Sequence, residues 1–204
     1  MKHQRNLSLV FDIAIAATAV AALIGCAQDN ADTMWRYFTN LSNAFMALAS
    51  LINIICAFLD KDAAVFRRVY YAATVAVSLT FMIVLVFLGP VHAASGGSYF
   101  FMFEGEFFFL HFLCPVLAFI NCVFISRDKC DIKDTFFAII PVCIYGIIYQ
   151  IEVVSGAWED FYWFSFGGHY AISPLVLSAI VTFAYLIALG EYKLHKLVMR
   201  KRIK

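Results

Sequence analysis

Two stretches of this chain hold the residue types needed to cleave an ester. The first is Met34-Trp35-Arg36-Tyr37-Phe38-Thr39-Asn40-Leu41-Ser42-Asn43. It is too polar for an ordinary helix entering lipid, where polar side chains face the protein interior or a water-filled cavity. Read as helix, Arg36, Thr39, Asn40 and Asn43 stand at offsets 0, 3, 4 and 7 and share one face. The second is the run from Phe107, with His111 one turn inside it. A threonine hydroxyl is a weak nucleophile at neutral pH, and a neutral imidazole beside it can take its proton as it attacks an ester carbonyl. An acyl-threonine forms, and water releases it. The oxyanion needs donors, which Asn40, Asn43 or Ser42 could supply. Arg36 suits a carboxylate or phosphate headgroup, or snorkels to lipid phosphate as a plain anchor. Tyr145, Tyr149 and Glu152 stand at offsets 0, 4 and 7; these residues and Gln150 could orient His111 or hold a headgroup.

The same residues have plainer uses. Thr and Asn on a helix face hydrogen-bond across helix interfaces, a lone His can be a satisfied core residue, and tyrosines at span ends are interface anchors. Other chemistry is weakly written. Cys114 lies one turn after His111, but nothing marks it as an activated thiolate. The six cysteines show no CxxC and read as small buried hydrophobes. His92, Glu104, Glu106, His111 and His169 share a side without a metal-ligand spacing, so neither metal nor cofactor is expected.

The elements that must position these groups are transmembrane helices. Of 204 residues, 63% are hydrophobic and only 14% charged, against about 25% charged in a soluble domain. Lys+Arg (15) and Asp+Glu (14) nearly cancel, which excludes a basic nucleic-acid binder. A span needs roughly 20 apolar residues, and six such runs occur: 7–27, 37–59, 69–89, 107–125, 135–153 and 171–190. Continuous rather than alternating apolarity excludes a β-barrel. The reading is a single all-α domain of six transmembrane helices in an inner or plasma membrane.

The basic residues give the orientation. With both termini cytoplasmic, Lys2, Arg5, Lys61, Arg67, Arg68, Arg127, Lys129, Lys133 and the six of the tail (Lys193, Lys196, Arg200, Lys201, Arg202, Lys204) all fall inside. Arg36 alone falls outside, with Asp29, Asp32, Glu104, Glu106, Glu159, Asp160 and all three tryptophans. Tyr37, Tyr99, Phe161 and Tyr162 are expected in an interfacial belt, Ser98–Phe109 in a stretch bent at Gly105, and the tail from Lys193 on anionic lipid. Leu23-Ile24-Gly25-Cys26 also fits a lipoprotein cleavage box, against which Asp12 and the length of the run argue.

Trp35-Arg36-Tyr37-Phe38-Thr39 resembles the Trp-basic-aromatic-apolar-Thr signature of the androgen-induced membrane hydrolase family. His111-Phe112-Leu113-Cys114-Pro115 is similar to its His followed by a Pro, Ser155-Gly156-Ala157-Trp158 to its turn after the fifth span, and Tyr185-Leu186 with Leu189-Gly190-Glu191 to its closing motif. The four similarities run in order along the whole chain. The resemblance implies a polytopic threonine hydrolase of fatty acid esters of hydroxy fatty acids, with Thr39 as nucleophile and His111 as its partner. Tyr149, Gln150, Glu152 and Trp158 then join the candidates for holding substrate.

The leading expectation is therefore an intramembrane hydrolase of lipid acyl esters opening to the outer leaflet, with membrane lipids as its surroundings and a lipid-like ester as substrate. The alternatives are a small-molecule transporter, acyl transfer on the same residues, or a non-catalytic membrane protein of unassigned role. Transporters concentrate polar groups near the midplane. Here the spans read as nearly bare at that depth, with Asp12, Asn53, Ser78, Thr80 and Tyr145 as the main exceptions.

Overall fold

The structure, a computed structural model, describes residues 2–59, 64–126 and 130–203. It contains helix and no strand among the described residues. Six helices are long and apolar enough to cross a membrane: α1 (Gln4–Asn30), α2 (Phe38–Phe58), α3 (Val65–Ala94), α4 (Gly105–Ile125), α5 (Ile132–Val154) and α6 (Ser173–Arg202). The protein is a multi-pass, all-α membrane protein. All six expected runs are present, with shifted ends. The third runs past Gly89 to Ala94. The sixth continues through the basic tail to Ile203 as one 31-residue rod, about 46 Å long at 1.5 Å per residue. No Pro or Gly interrupts it after Gly190, and Arg200, Lys201 and Arg202 favour the negative end of its dipole. Of the basic residues that set the expected orientation, Lys61, Arg127, Lys129 and Lys204 lie outside the described residues, as does the side chain of Lys2.

α3 is the centre of the bundle, with 61% of its apolar window buried against 17% for α6. Small residues let neighbours approach it closely. Ala73 and Val77 of α3 pack with Ile15 and Ala19 of α1, Met46 and Ala47 of α2, and Cys114 and Ala118 of α4. On its other side Ala72 and Val75 meet Ala138 of α5 and Ala188 of α6. The large aliphatic side chains point outward instead, as with Ile144, Ile147, Ile148 and Ile151. That is the distribution expected where lipid, not water, is outside.

Two prolines inside the spans shape the end of the bundle that holds the candidate residues. A proline donates no hydrogen bond, and a carbonyl left open in an apolar interior must find another donor. Val84–Leu88 and Phe109–Leu113 are π-helical turns, in which Gly89 and Cys114 bond the residue five back. The next residues are Pro90 and Pro115, so in this register the carbonyls of Leu85 and Leu110 are released. Each is met by a side chain: Tyr99 donates its hydroxyl to Leu85 O, and Asn43 donates its amide to Leu110 O at 3.1 Å. The second bond ties α2 to α4.

The interior is not bare at depth. Asn121 donates to Asp12 Oδ1 at 3.0 Å and to the Tyr70 hydroxyl at 2.8 Å. Ser78 donates to Glu191 at 2.7 Å, and Ser42 pairs with Thr80 at 3.1 Å. Asn121 lies near the end of its expected span and Glu191 just past the end of its own, where a polar residue reads as solvated.

Asn43→Ala should therefore destabilise the protein by about 1–2 kcal/mol, because it strands the Leu110 carbonyl in a dry interior. Tyr99→Phe, acting at the partly exposed Leu85, should cost less. Thermal unfolding in detergent checks the order; a larger loss in Tyr99→Phe would contradict this account of the two prolines.

Candidate active site

α2 begins at Phe38. Tyr37 is extended (φ −88°, ψ 129°), and Met34–Arg36 form a separate 3-10 turn before it. Arg36 is therefore not on the Thr39 face, as the sequence spacing suggested, and its side chain lines neither of the cavities at Thr39. What it contributes is a carbonyl that accepts the Tyr145 hydroxyl at 2.7 Å. Asn40 is buried and donates to Met34 O at 2.8 Å, closing the helix entrance. Asn43 donates to Thr39 O at 2.8 Å and to Leu110 O. Ser42 donates to Thr39 O at 3.0 Å. Both asparagine amides are thus spent on backbone carbonyls. In place of the oxyanion donors expected of them, they act as braces around Thr39.

The expected pairing across helices is present. Thr39 Oγ1 and His111 Nε2 are 3.3 Å apart, and His111 is buried. The geometry fixes the tautomer. His111 Nδ1 is 3.1 Å from both Met102 O and Phe107 O. Carbonyls only accept, so Nδ1 carries the proton and Nε2 offers its lone pair to the threonine hydroxyl. The Phe107 carbonyl comes from the same helix, one turn back. The Met102 carbonyl comes from the 3-10 turn Phe101–Phe103, and Gly105, at φ +56°, reverses the chain between that turn and α4. The expected bend at Gly105 is thus what brings an orienting acceptor to the histidine. Cys114, fully buried, is not the histidine's partner.

Two cavities meet at Thr39. The larger, about 330 Å³, opens between α1, α2, α4 and the last loop, with Asp29, Asn30 and Glu106 among its wall residues. The smaller, about 60 Å³, runs between α2, α3, α5 and α6 along Leu79, Ile83, Val142 and Ile180. Thr39, Leu88 and Tyr162 line both. At the base of the smaller one, Gly146 makes room for Leu177: a Cβ there would lie 2.1 Å from Leu177 Cδ1.

Tyr162 is the residue that sequence reasoning misplaced. It was expected in the interfacial belt, yet its hydroxyl turns inward and accepts the Phe38 N–H at 2.9 Å, an otherwise open donor of the first helical turn. Asp160 holds it there. Asp160 Oδ1 accepts the Tyr149 hydroxyl at 2.7 Å and the Phe164 N–H at 2.9 Å, and Oδ2 accepts the Ser165 N–H at 2.7 Å. Tyr149 in turn accepts the Tyr162 N–H at 3.1 Å. The loop keeps Trp163 and Phe166 at φ 59° and 48°, costly for such residues unless the surroundings enforce it. Only the aromatic run Phe161–Phe166, unusually dense for a loop, could have pointed to it. Of the other candidates, Tyr149 belongs to this brace. Trp158 packs edge-on against Tyr149, and Gln150, Glu152 and Trp158 line neither cavity. No three His, Cys, Asp or Glu side chains gather among the described residues.

Comparison of the chain with protein-family models, with curated proteins and with solved structures finds no match.

Burial alone would raise the Asp160 carboxyl, but the bonds from Ser165, Tyr149 and Phe164 outweigh it and hold Asp160 below the usual carboxylate range. A depressed folded value means that its contribution to loop order is complete above the open-chain value near 4 and is lost as pH falls through the lower folded value. A tryptophan-fluorescence titration should show the loop opening only below about pH 4. Asp160→Asn should show an already opened loop with no transition in that range. An identical titration in both proteins would remove Asp160 as the clasp.

Proposed function

We propose that the protein is an intramembrane hydrolase of lipid acyl esters, with Thr39 as nucleophile and His111 as general base. The observation that carries this reading is the 3.3 Å approach of Thr39 Oγ1 to a histidine nitrogen whose tautomer is set for proton acceptance by two carbonyls on the other ring nitrogen. Those carbonyls take the orienting part that a carboxylate plays in other hydrolytic triads.

His111 Nε2 takes the Thr39 proton as Oγ1 attacks the ester carbonyl. The carbonyl oxygen becomes an oxyanion, for which the inward Tyr162 hydroxyl is the donor at hand. Collapse breaks the bond to the leaving oxygen, which receives the proton from His111. Water, deprotonated by His111, then attacks acyl-Thr39, and the acid leaves as His111 returns that proton to Thr39 Oγ1. The apolar cavity suits the acyl chain, and the larger cavity suits the leaving alcohol and entering water. Leu79, Ile83 and Val142 offer the chain no polar atom to desolvate.

The resemblance of Trp35–Thr39 and His111–Pro115 to the androgen-induced hydrolases supports the same assignment. The wall chemistry narrows it. Asp29 and Glu106 line the larger cavity, and no Lys or Arg does so among the described residues. An alcohol that is neutral, such as a glycerol, fits this better than one ending in a carboxylate. If both termini are cytoplasmic, as the basic residues suggest, the site opens to the outer leaflet, where amphiphilic esters partition.

A fluorophosphonate probe should label the wild type and Thr39→Ser, and fail on Thr39→Ala. His111→Ala should lower turnover of monoacylglycerols by about 10²–10⁴-fold. Tyr162→Phe should lower it by about 10²-fold, the loss of one oxyanion donor. Equal labelling of wild type and Thr39→Ala would refute the assignment. Faster cleavage of carboxylate-ended esters than of monoacylglycerols would refute the narrowing.

A further inference from the structure

A third cavity, of about 170 Å³, lies at the end of the bundle that carries both termini. It is walled by α3, α4, α5, α6 and the start of the fourth connection, and it is remote from Thr39. Its volume is close to that of an engineered protein cavity, about 150 Å³, that holds a benzene. Tyr70, Tyr71 and Glu191 stand deep in it; Arg67, Arg68 and His195 stand about one helical turn, or about 6 Å, nearer the end.

One carboxyl oxygen of the deep wall has no donor among the described residues. Glu191 is 4% exposed. Its Oε1 accepts the Ser78 hydroxyl at 2.7 Å, and its Oε2 has no hydrogen-bond partner. Neither neighbouring tyrosine supplies one: Tyr71 donates to Ala188 O, and Tyr70 bonds Asn121 and Asp12. A buried carboxyl oxygen left unpaired costs free energy that an N–H donor would recover.

The outer wall carries a guanidinium with donors to spare. Asp134 Oδ1 accepts Arg68 Nε at 2.7 Å, and its Oδ2 accepts the Asp131 N–H at 2.8 Å. The Asp131 carboxylate accepts the Asp134 N–H in the same capping box. Both acids are satisfied within the fold. Arg68, half exposed, keeps its two terminal nitrogens for a further acceptor, in the planar arrangement that suits a phosphate.

We propose that this cavity binds a phosphate joined by a short carbon link to a primary ammonium, with the phosphate at Arg68 and the ammonium on Glu191 Oε2. The ligand is the headgroup of an ethanolamine phospholipid, or the same group as a free phosphate monoester. The site is independent of the hydrolase reading, because it shares no residue with Thr39, His111 or their cavities.

The test is calorimetric titration of the full-length protein in detergent with dihexanoyl phosphatidylethanolamine, dihexanoyl phosphatidylcholine, dihexanoylglycerol and phosphoethanolamine. Choline keeps the phosphate and the positive charge but has no N–H. The ethanolamine lipid should bind at least about tenfold tighter than the choline lipid, the worth of one charge-assisted hydrogen bond. Dihexanoylglycerol, which has no phosphate, should bind only at the Thr39 site, so that any heat it gives is the same in Arg68→Gln as in the wild type. Glu191→Gln should reduce the discrimination to about twofold, and Arg68→Gln should weaken both phospholipids alike. Phosphoethanolamine binding as tightly as the lipid assigns the site to a free monoester; binding of the lipid alone assigns it to the bilayer. Equal affinity for ethanolamine and choline lipids, binding of neither, or full discrimination in Glu191→Gln would overturn the proposal. The ethanolamine–choline comparison in the wild type decides the matter even if Glu191→Gln does not fold.

Discussion

Asn43 spends one amide group on two carbonyls, Thr39 O in its own helix and Leu110 O in α4. That one group sets the distance between the helices that carry the proposed nucleophile and base. The bond exists because a carbonyl inside an apolar bundle has no water to turn to, and because Pro115 takes away the donor that the π-helical turn would otherwise offer. Both neighbours of the amide nitrogen are acceptors, so the side chain has one orientation open to it. Asn43 Oδ1 is left unpaired in the interior as a consequence. The defect that a proline introduces into one helix thus becomes the tie to the next.

The same logic orients the histidine. A catalytic imidazole, the part proposed for His111, needs one nitrogen protonated and held so that the other stays free to accept. Soluble hydrolases commonly give that task to a carboxylate, which inside a membrane carries a heavy desolvation cost. Here two backbone carbonyls do it, one from the turn before α4 and one from α4 itself. Neutral acceptors define the tautomer without burying a charge. Similarly, Tyr162 reaches Phe38 N–H only because Asp160, at the water-facing end, gathers the last loop onto Tyr149.

The polar groups fall into two sets separated along the bundle. One surrounds Thr39, with uncharged groups at its heart and acids at its edge. The other surrounds Glu191 and Asp12 near the termini, with arginines outside and carboxyls within. Between them α3 presents Ala72, Ala73, Thr74, Val75, Ala76 and Val77, all buried, with the Thr74 hydroxyl donated to Tyr70 O at 3.0 Å. That waist keeps the two sets of polar groups apart.

Composition and apolar run length determined the class, the number of spans and their approximate ends, because a hydrocarbon slab about 30 Å thick imposes the same length on every crossing. Alternation of the spans placed Thr39 and His111 at one end and at matching depth. Sequence spacing could not show that α2 starts at Phe38 and leaves Arg36 behind, since Tyr37 takes an extended conformation that helical periodicity does not register. It also could not foresee that Asn40 and Asn43 would be used up on carbonyls. Tyr162, Met102 and Glu191 were decided by tertiary structure alone. Each acts through a partner between 9 and 124 residues away, and such a bond forms only where packing leaves a donor and an acceptor no nearer choice.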